Sequence, residues 1–222
     1  MSNLIEIKPK FLRKLIDLQY LTLLGPFKNE LSNLELDKNS LVLDYGSGSE
    51  GFKSYFSSKN YTSYDPYSER SSIRNIQDLS GLKFKLILCF EVLEHVESLE
   101  KVVAHLHSLM DESSTLFVSM PFSARVHPCP EDYRRLTPAG ADLAFKDFEI
   151  VSFHKRGSNF STICNKIFYL AFYFLKRPLL FPFLIILIPF IPLLLLLAHL
   201  DLLLFKSWGD DQLGYFWVLK KK

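Results

Sequence analysis

Asp44 closes a short apolar run, and Gly46, Gly48 and Gly51 follow it in the segment LVLDYGSGSEGF. The G-x-G-x-x-G spacing, between a strand and a helix, suits a loop whose backbone approaches a nucleotide. Glycines admit dihedrals closed to other residues, and a following helix offers its first N–H groups. On spacing alone a dinucleotide fits, with Asp65 about 20 residues downstream to hold ribose hydroxyls. Asp44 argues otherwise. Its carboxylate would face a pyrophosphate and repel it, whereas a sulfonium cation and an amino-acid group would be stabilised there. The residues therefore favour S-adenosylmethionine.

Transfer of an activated methyl group asks a protein mainly to align donor and acceptor and to exclude water. A hydroxyl acceptor also needs somewhere for its proton to go. Candidate groups cluster in two segments. FEVLEHV carries Glu91, Glu94 and His95, and RVHPCPEDYRRLT carries His127, Asp132, Tyr133, Arg134 and Arg135. His127 or His95 can act as base, since neutral imidazole is available near pH 7. Tyr133 stands beside them, and Arg134 or Arg135 can hold a phosphate or carboxylate. Plainer roles compete: Glu94 and His95 as helix-start residues, Asp65-Pro66 as a turn, Asp78 as a cap.

The elements that must position these residues are legible as alternating apolar runs and helical patterns, the signature of a parallel sheet with crossovers. Strands are expected at Leu41–Asp44, Tyr61–Tyr64, Leu86–Phe90, Thr115–Met120, Glu149–Phe153 and Tyr215–Leu219, with helices near 50–58, 97–109 and 138–145. Residues 9–35 place Leu12, Leu15, Ile16, Leu23, Leu24 and Leu31 at helical spacing, and Gly25-Pro26 predicts a break into two short helices. With 26 Lys and Arg against 24 acids, bulk charge gives no reason to expect a nucleic-acid partner. The cysteines, Cys89, Cys129 and Cys164, lack metal-site spacing and suit a reducing compartment. The opening MSNLIEIKPKFLRKLIDL lacks a signal-peptide core, so the catalytic part is expected on the cytoplasmic side.

VLDYGSGSEGF resembles motif I of the class I S-adenosylmethionine-dependent methyltransferases, and YTSYDPYS resembles their motif II. The stretch from IQDLSGL through FEVLEHVESLEKVVAHLHSLM is similar to their motif IV and following helix. LFVSMPFSARVHPCPEDYRRLTPAGADLAF is similar to the fifth strand and substrate loop of a type 11-like bacterial subgroup. GYFWVLKK matches the closing strand. The resemblance implies a Rossmann-like α/β fold with a mainly parallel seven-stranded sheet and helices on both faces. It implies that Asp44 and Gly46–Gly48 line the methionine part, Asp65 the ribose and Asp78 the adenine amino group. Tyr45, Ser47, Pro66, Phe90 and Glu91 would lie beside them. One departure is Glu50, where the family usually has glycine, so a reshaped loop is expected. Glu91, Glu94 and His95 also resemble the E-x-x-E-H of metal-assisted methyltransferases, with Asp132 or His127 as the nearest further ligand. The reading nonetheless expects no metal.

From Leu179 to Leu200 the only ionisable side chain is His199. About 20 apolar residues can cross a bilayer. Pro189 and Pro192 predict two half-helices, 179–188 and 193–205, reversing at Pro189-Phe190-Ile191-Pro192, with Lys176, Arg177 and Lys206 flanking them. The expected organisation is an N-terminal helical segment (1–40), a methyltransferase core (41–157), a hydrophobic helical-hairpin insert (158–206) and a closing strand with a basic tail (207–222). The function expected is methyl transfer to a small or lipid-linked acceptor, at a membrane bound through residues 179–205. The resemblance associates it with cell-surface glycan or lipid biosynthesis. A non-catalytic membrane scaffold is the alternative function, and a single-pass protein the alternative topology.

Overall fold

The structure is a computed structural model and describes residues 17–175, 177–204 and 209–222. Leu12, Leu15, Ile16, Lys176 and Lys206 lie outside the described residues. The chain divides into two compact units: Phe27–His154 with Tyr215–Lys222, and the residues up to Pro26 with Lys155–Gly214.

The sheet contains β1 (Val42–Tyr45), β2 (Tyr61–Tyr64), β3 (Leu86–Phe90), β4 (Thr115–Pro121), β5 (Phe148–Arg156) and β6 (Gly214–Lys221), in the order β2-β1-β3-β4-β6-β5. It has six strands rather than the seven implied by the resemblance. Among the described residues, the free edge of β2 carries only a single parallel bridge, Tyr64 with Ile73, where a further strand would pair. β1 runs parallel to β2 and β3, and β3 parallel to β4; Asp44 sits beside Ser63 on one side and Leu88 on the other. β1, β3 and β4 are buried along their whole length, which explains why they read as continuous apolar runs. The chain leaves β1 toward β2 and then crosses back to β3. The carboxyl ends of β1 and β3 therefore border a switch point, where ligands bind in open α/β sheets.

On one face, the core joins Leu43, Ile87, Leu106, Phe145 and Trp217, with α2 (Leu99–Ser108) and α3 (Pro138–Ala144) contributing. Thr137 caps α3 by accepting the Gly140 N–H at 3.1 Å. On the other, Phe27 presents its ring edge-on to Phe52, Tyr55, Phe90 and Phe117. Phe27 belongs to α1 (Leu18–Ser32), which runs unbroken through Gly25-Pro26 instead of splitting there. Leu23 and Phe27 are both buried on either side of the proline, so packing overrides the local preference. The helix expected at 50–58 is a single 3-10 turn, Lys53–Tyr55. Phe52 and Tyr55 anchor this segment on Phe27.

In the second unit, α4 (Asn159–Leu175) packs against α5 (Phe181–Leu187) and α6 (Ile191–Leu204). Ser158 donates to Asp201, and the Cys164 Sγ lies 3.7 Å from the Leu194 carbonyl, so α4 and α6 run antiparallel. Leu18, Phe168, Ala198 and Leu213 complete a small core with Cys164. The reversal expected at Pro189–Pro192 is absent. A 3-10 turn at Ile188–Phe190 joins α5 to α6, with right-handed helical backbone at Leu187 and Ile191. Pro192 occupies the first turn of α6, where a missing N–H goes unneeded. The hairpin is instead formed by α4 against the α5–α6 run, turning at residues 177–180. Phe181–Leu203 spans 23 residues with mean hydropathy 2.8, long and apolar enough to cross a membrane, and almost none of it is covered.

Candidate active site

The glycine loop leaves β1 at the switch point. Gly46 has φ 76°, and a Cβ there would stand 2.3 Å from the Val92 Cγ2, so the position demands glycine twice over. Gly48, at φ 48°, opens onto free space. Glu50 is left-handed at φ 55°, the conformation for which the family's glycine is suited, whereas Gly51 stays outside that region. The Glu50 carboxylate is tied at 2.8 Å to Lys53 Nζ and at 2.8 Å to Ser63 Oγ. The Lys53 bond, aided by that from Ser63, holds its carboxyl below the usual range. Glu50 thus holds a left-handed backbone, the conformation that glycine favours, with its side chain tied on both sides.

Asp44 and Asp65 flank the loop. Asp44 is 3 % exposed and accepts the Tyr61 hydroxyl. Burial raises its carboxyl to about 6, against the Tyr61 bond, and the charges of Glu50 and Asp65 push the same way as burial. A cation arriving beside it would reverse that penalty. Asp65 Oδ1 accepts the N–H groups of Tyr67 (2.8 Å) and Ser68 (3.0 Å), while Oδ2 accepts that of Gly48 (2.9 Å). Asp65 is therefore fixed in place, with lone pairs remaining for ligand hydroxyls. The Gly46 and Ser47 amides donate to the Tyr64 carbonyl, and Ser47 Oγ pairs with Ser71 Oγ at 2.9 Å.

The other residues expected at the cofactor differ in their surroundings. Asp78 is exposed on the 3-10 turn Ile76–Leu79, and Pro66 is exposed beside Asp65. Glu91 is left-handed at φ 56° and accepts Ser119 Oγ at 2.8 Å, at the carboxyl end of β3. Tyr45 and Phe90 pack against other aromatic rings. The Tyr45 ring packs in the core 4.8 Å from Tyr64, and Phe90 joins Phe27, Phe52 and Phe216. Each follows from strand alternation: neighbours of a loop-facing residue point into a layer.

Beyond β3 the candidate catalytic residues converge. The His95 and His127 rings lie 4.9 Å apart and edge-to-face. Glu94, fully buried, places Oε1 3.5 Å from His95 Nε2 and 3.9 Å from His127 Nε2. Burial holds the Glu94 carboxyl well above the usual range. Asp132 accepts the His127 backbone N–H at 3.0 Å and pairs with Arg135, which keeps its carboxyl down at about 2. Tyr133 has a half-exposed ring, and its N–H donates to the Glu94 carbonyl at 2.7 Å. The Arg134 guanidinium donates to the carbonyls of Leu93 (3.0 Å), Val96 and Glu97 (2.7 Å), closing the turn that carries Glu94 and His95. Val92, Tyr61 and Ser119 were not singled out by sequence, since their roles depend on contacts between separate strands. Only Glu50, standing where glycine is usual, signalled an unusual backbone.

The sequence pattern of a methyltransferase domain family matches residues 16–161. No curated protein matches the chain significantly. An S-adenosylmethionine-dependent methyltransferase from Archaeoglobus fulgidus aligns with a TM-score of 0.52 at 12% identity, over 95% of this chain and 98% of its own. One from Clostridium acetobutylicum gives 0.52 at 10%, over 94% and 95%. Coclaurine N-methyltransferase, solved with N-methylheliamine and S-adenosylhomocysteine, gives 0.54 at 13%, over 89% and 70%. The family match covers most of the chain, and these likenesses reproduce its fold. The chain belongs to the methyltransferase domain family and has the fold of the class I S-adenosylmethionine-dependent methyltransferases.

Proposed function

We propose that this methyltransferase carries the methyl group of S-adenosylmethionine to a small or lipid-linked acceptor drawn from a membrane, from the cytoplasmic face. The cofactor supplies a methyl group already activated on a positive sulfur. Asp44 holds its cationic part, Asp65 its hydroxyls and Asp78 its adenine amino group. The Glu94, His95 and His127 cluster faces the acceptor. The scaffold alternative rested on Glu50, whose left-handed backbone leaves the loop path as glycine would.

The observation that carries the membrane reading is the uncovered apolar run Phe181–Leu203. Ile185, Ile186, Leu193, Leu196 and Leu203 are all exposed, while Ala198 and its neighbours pack on α4. A helix apolar all round suits insertion rather than a surface position. The insert joins β5 to β6, neighbours in the sheet, so an inserted hairpin keeps both of its ends on one side. The acceptor class follows from that location, and cell-surface glycan or lipid biosynthesis would supply such molecules.

Vesicle flotation tests this reading. The full chain is expected to float with phospholipid vesicles. Lysine at Ile186, Leu193 and Leu196 should leave it in the dense fractions, because each charge opposes insertion by about 2.5–3.5 kcal/mol. Unchanged flotation of the triple variant would refute insertion through this run.

A further inference from the structure

The oddest feature of the acceptor cluster is Glu94. Both carboxylate oxygens are buried, and among the described residues neither accepts a hydrogen bond. Buried polar groups in native proteins nearly always have partners, so an exception needs a cause. The two imidazoles deepen the problem. His95 Nδ1 lies 2.6 Å from the Glu131 carbonyl, and His127 Nδ1 lies 3.0 Å from the Arg125 carbonyl. A carbonyl only accepts, so in each neutral ring Nδ1 carries the hydrogen and Nε2 the lone pair. Both Nε2 atoms face Glu94 Oε1, at 3.5 and 3.9 Å. Three atoms able to act as metal ligands thus converge, all within 4.8 Å of one another.

We propose that Glu94, His95 and His127 hold a divalent transition-metal ion that takes an oxygen of the acceptor as a further ligand. Ligand atoms about 2.0–2.2 Å from a tetrahedral ion stand roughly 3.3–3.6 Å apart; the Glu94–His95 pair at 3.5 Å falls in that range and the Glu94–His127 pair at 3.9 Å lies just beyond it. Two imidazoles and one carboxylate suit Zn²⁺ and its neighbours rather than Mg²⁺ or Ca²⁺. The carbonyls behind both rings, and Asp132 at 3.3 Å behind His127, are the outer partners that orient metal-binding histidines. Glu91 is not a member: Ser119 occupies its Oε1. Arg134 and Tyr133 hold the backbone of the cluster. The identity of the further ligand rests on the methyl-transfer reading; binding of the ion does not.

Co²⁺ is the probe, added to the full chain in detergent micelles after chelator treatment. One Co²⁺ per chain is expected, with visible ligand-field bands that Zn²⁺ abolishes. His127→Ala and Glu94→Gln should each weaken binding at least tenfold. S-adenosylmethionine calorimetry on His127→Ala, whose ring is one-third exposed, checks that the fold is intact. Co²⁺ binding with unchanged affinity in a His95→Ala, His127→Ala double variant would overturn the proposal, as would no binding by the intact chain. In the latter case the cluster shares a proton instead. Loss of methyl transfer with Co²⁺ binding retained would count against the methyl-transfer reading and not against this site.

Discussion

Gly46→Ala is the sharpest perturbation of the glycine loop. The new Cβ would stand 2.3 Å from Val92 Cγ2 and 3.2 Å from Cγ1, while the backbone sits at φ 76°. Left-handed backbone costs a residue with a Cβ about 1–2 kcal/mol. Forcing a methyl against a β-branched neighbour costs about 1–3 kcal/mol more. The two effects together amount to roughly 2–5 kcal/mol, and they separate. Val92→Ala removes both Cγ atoms and leaves its Cβ 3.4 Å away, an ordinary contact. The double variant should therefore retain the backbone strain alone, with a coupling of about 1–3 kcal/mol between the sites. Calorimetry with S-adenosylmethionine and thermal unfolding, run on all four variants, measure it. Because the loop can relieve the clash by moving, the penalty appears in cofactor affinity, in stability, or divided between them. Additive effects of the two substitutions, or a silent Gly46→Ala, would refute the reasoning.

Two further outcomes follow from groups already described. Asp44, raised by burial from 3.8 to about 6, favours its neutral form in the folded chain, so cofactor-free stability should fall by roughly 3 kcal/mol as pH rises from about 4 through 6. A cationic cofactor needs the ionised form, so its affinity should instead weaken up to tenfold per unit as pH falls below about 6. Calorimetry across that range should show the trend in the wild type and a flat profile in Asp44→Asn. Arg134→Ala should lower the unfolding temperature and lower turnover without raising the acceptor KM selectively, because its bonds go to Leu93, Val96 and Glu97 carbonyls. A selective rise in KM would return Arg134 to the acceptor.

Much of the sheet was legible because β1, β3 and β4 are buried along their length and read as unbroken apolar runs between polar turns. All six runs became strands; the seventh came from resemblance, and among the described residues only the Ile73 bridge to Tyr64 extends the sheet beyond β2. Helix boundaries failed where distant packing decided them. Phe27, buried among four aromatic rings, carries α1 through Gly25-Pro26 and pins a 3-10 turn where a helix was expected. Pro189 and Pro192 signalled a reversal, yet they fall in a 3-10 turn and a helix's first turn, where proline is tolerated. At the site, Asp44, Gly46, Gly48 and Asp65 were visible from spacing. The bond from Tyr61 to Asp44 and the approach of Val92 to Gly46 join separate strands and leave no local pattern. Arg134 looked free for an acceptor because sequence does not tell where a guanidinium finds its acceptors.

Methyl-group tracing tests the central claim most directly. The full chain is incubated with S-adenosylmethionine carrying a tritiated methyl group and with a total membrane-lipid extract dispersed in detergent. Tritium should pass into the organic-extractable fraction in proportion to enzyme and time, and Asp44→Asn should abolish the transfer. Tritium that remains wholly on the donor, with the cofactor shown to bind, would contradict methyl transfer to a membrane-drawn acceptor.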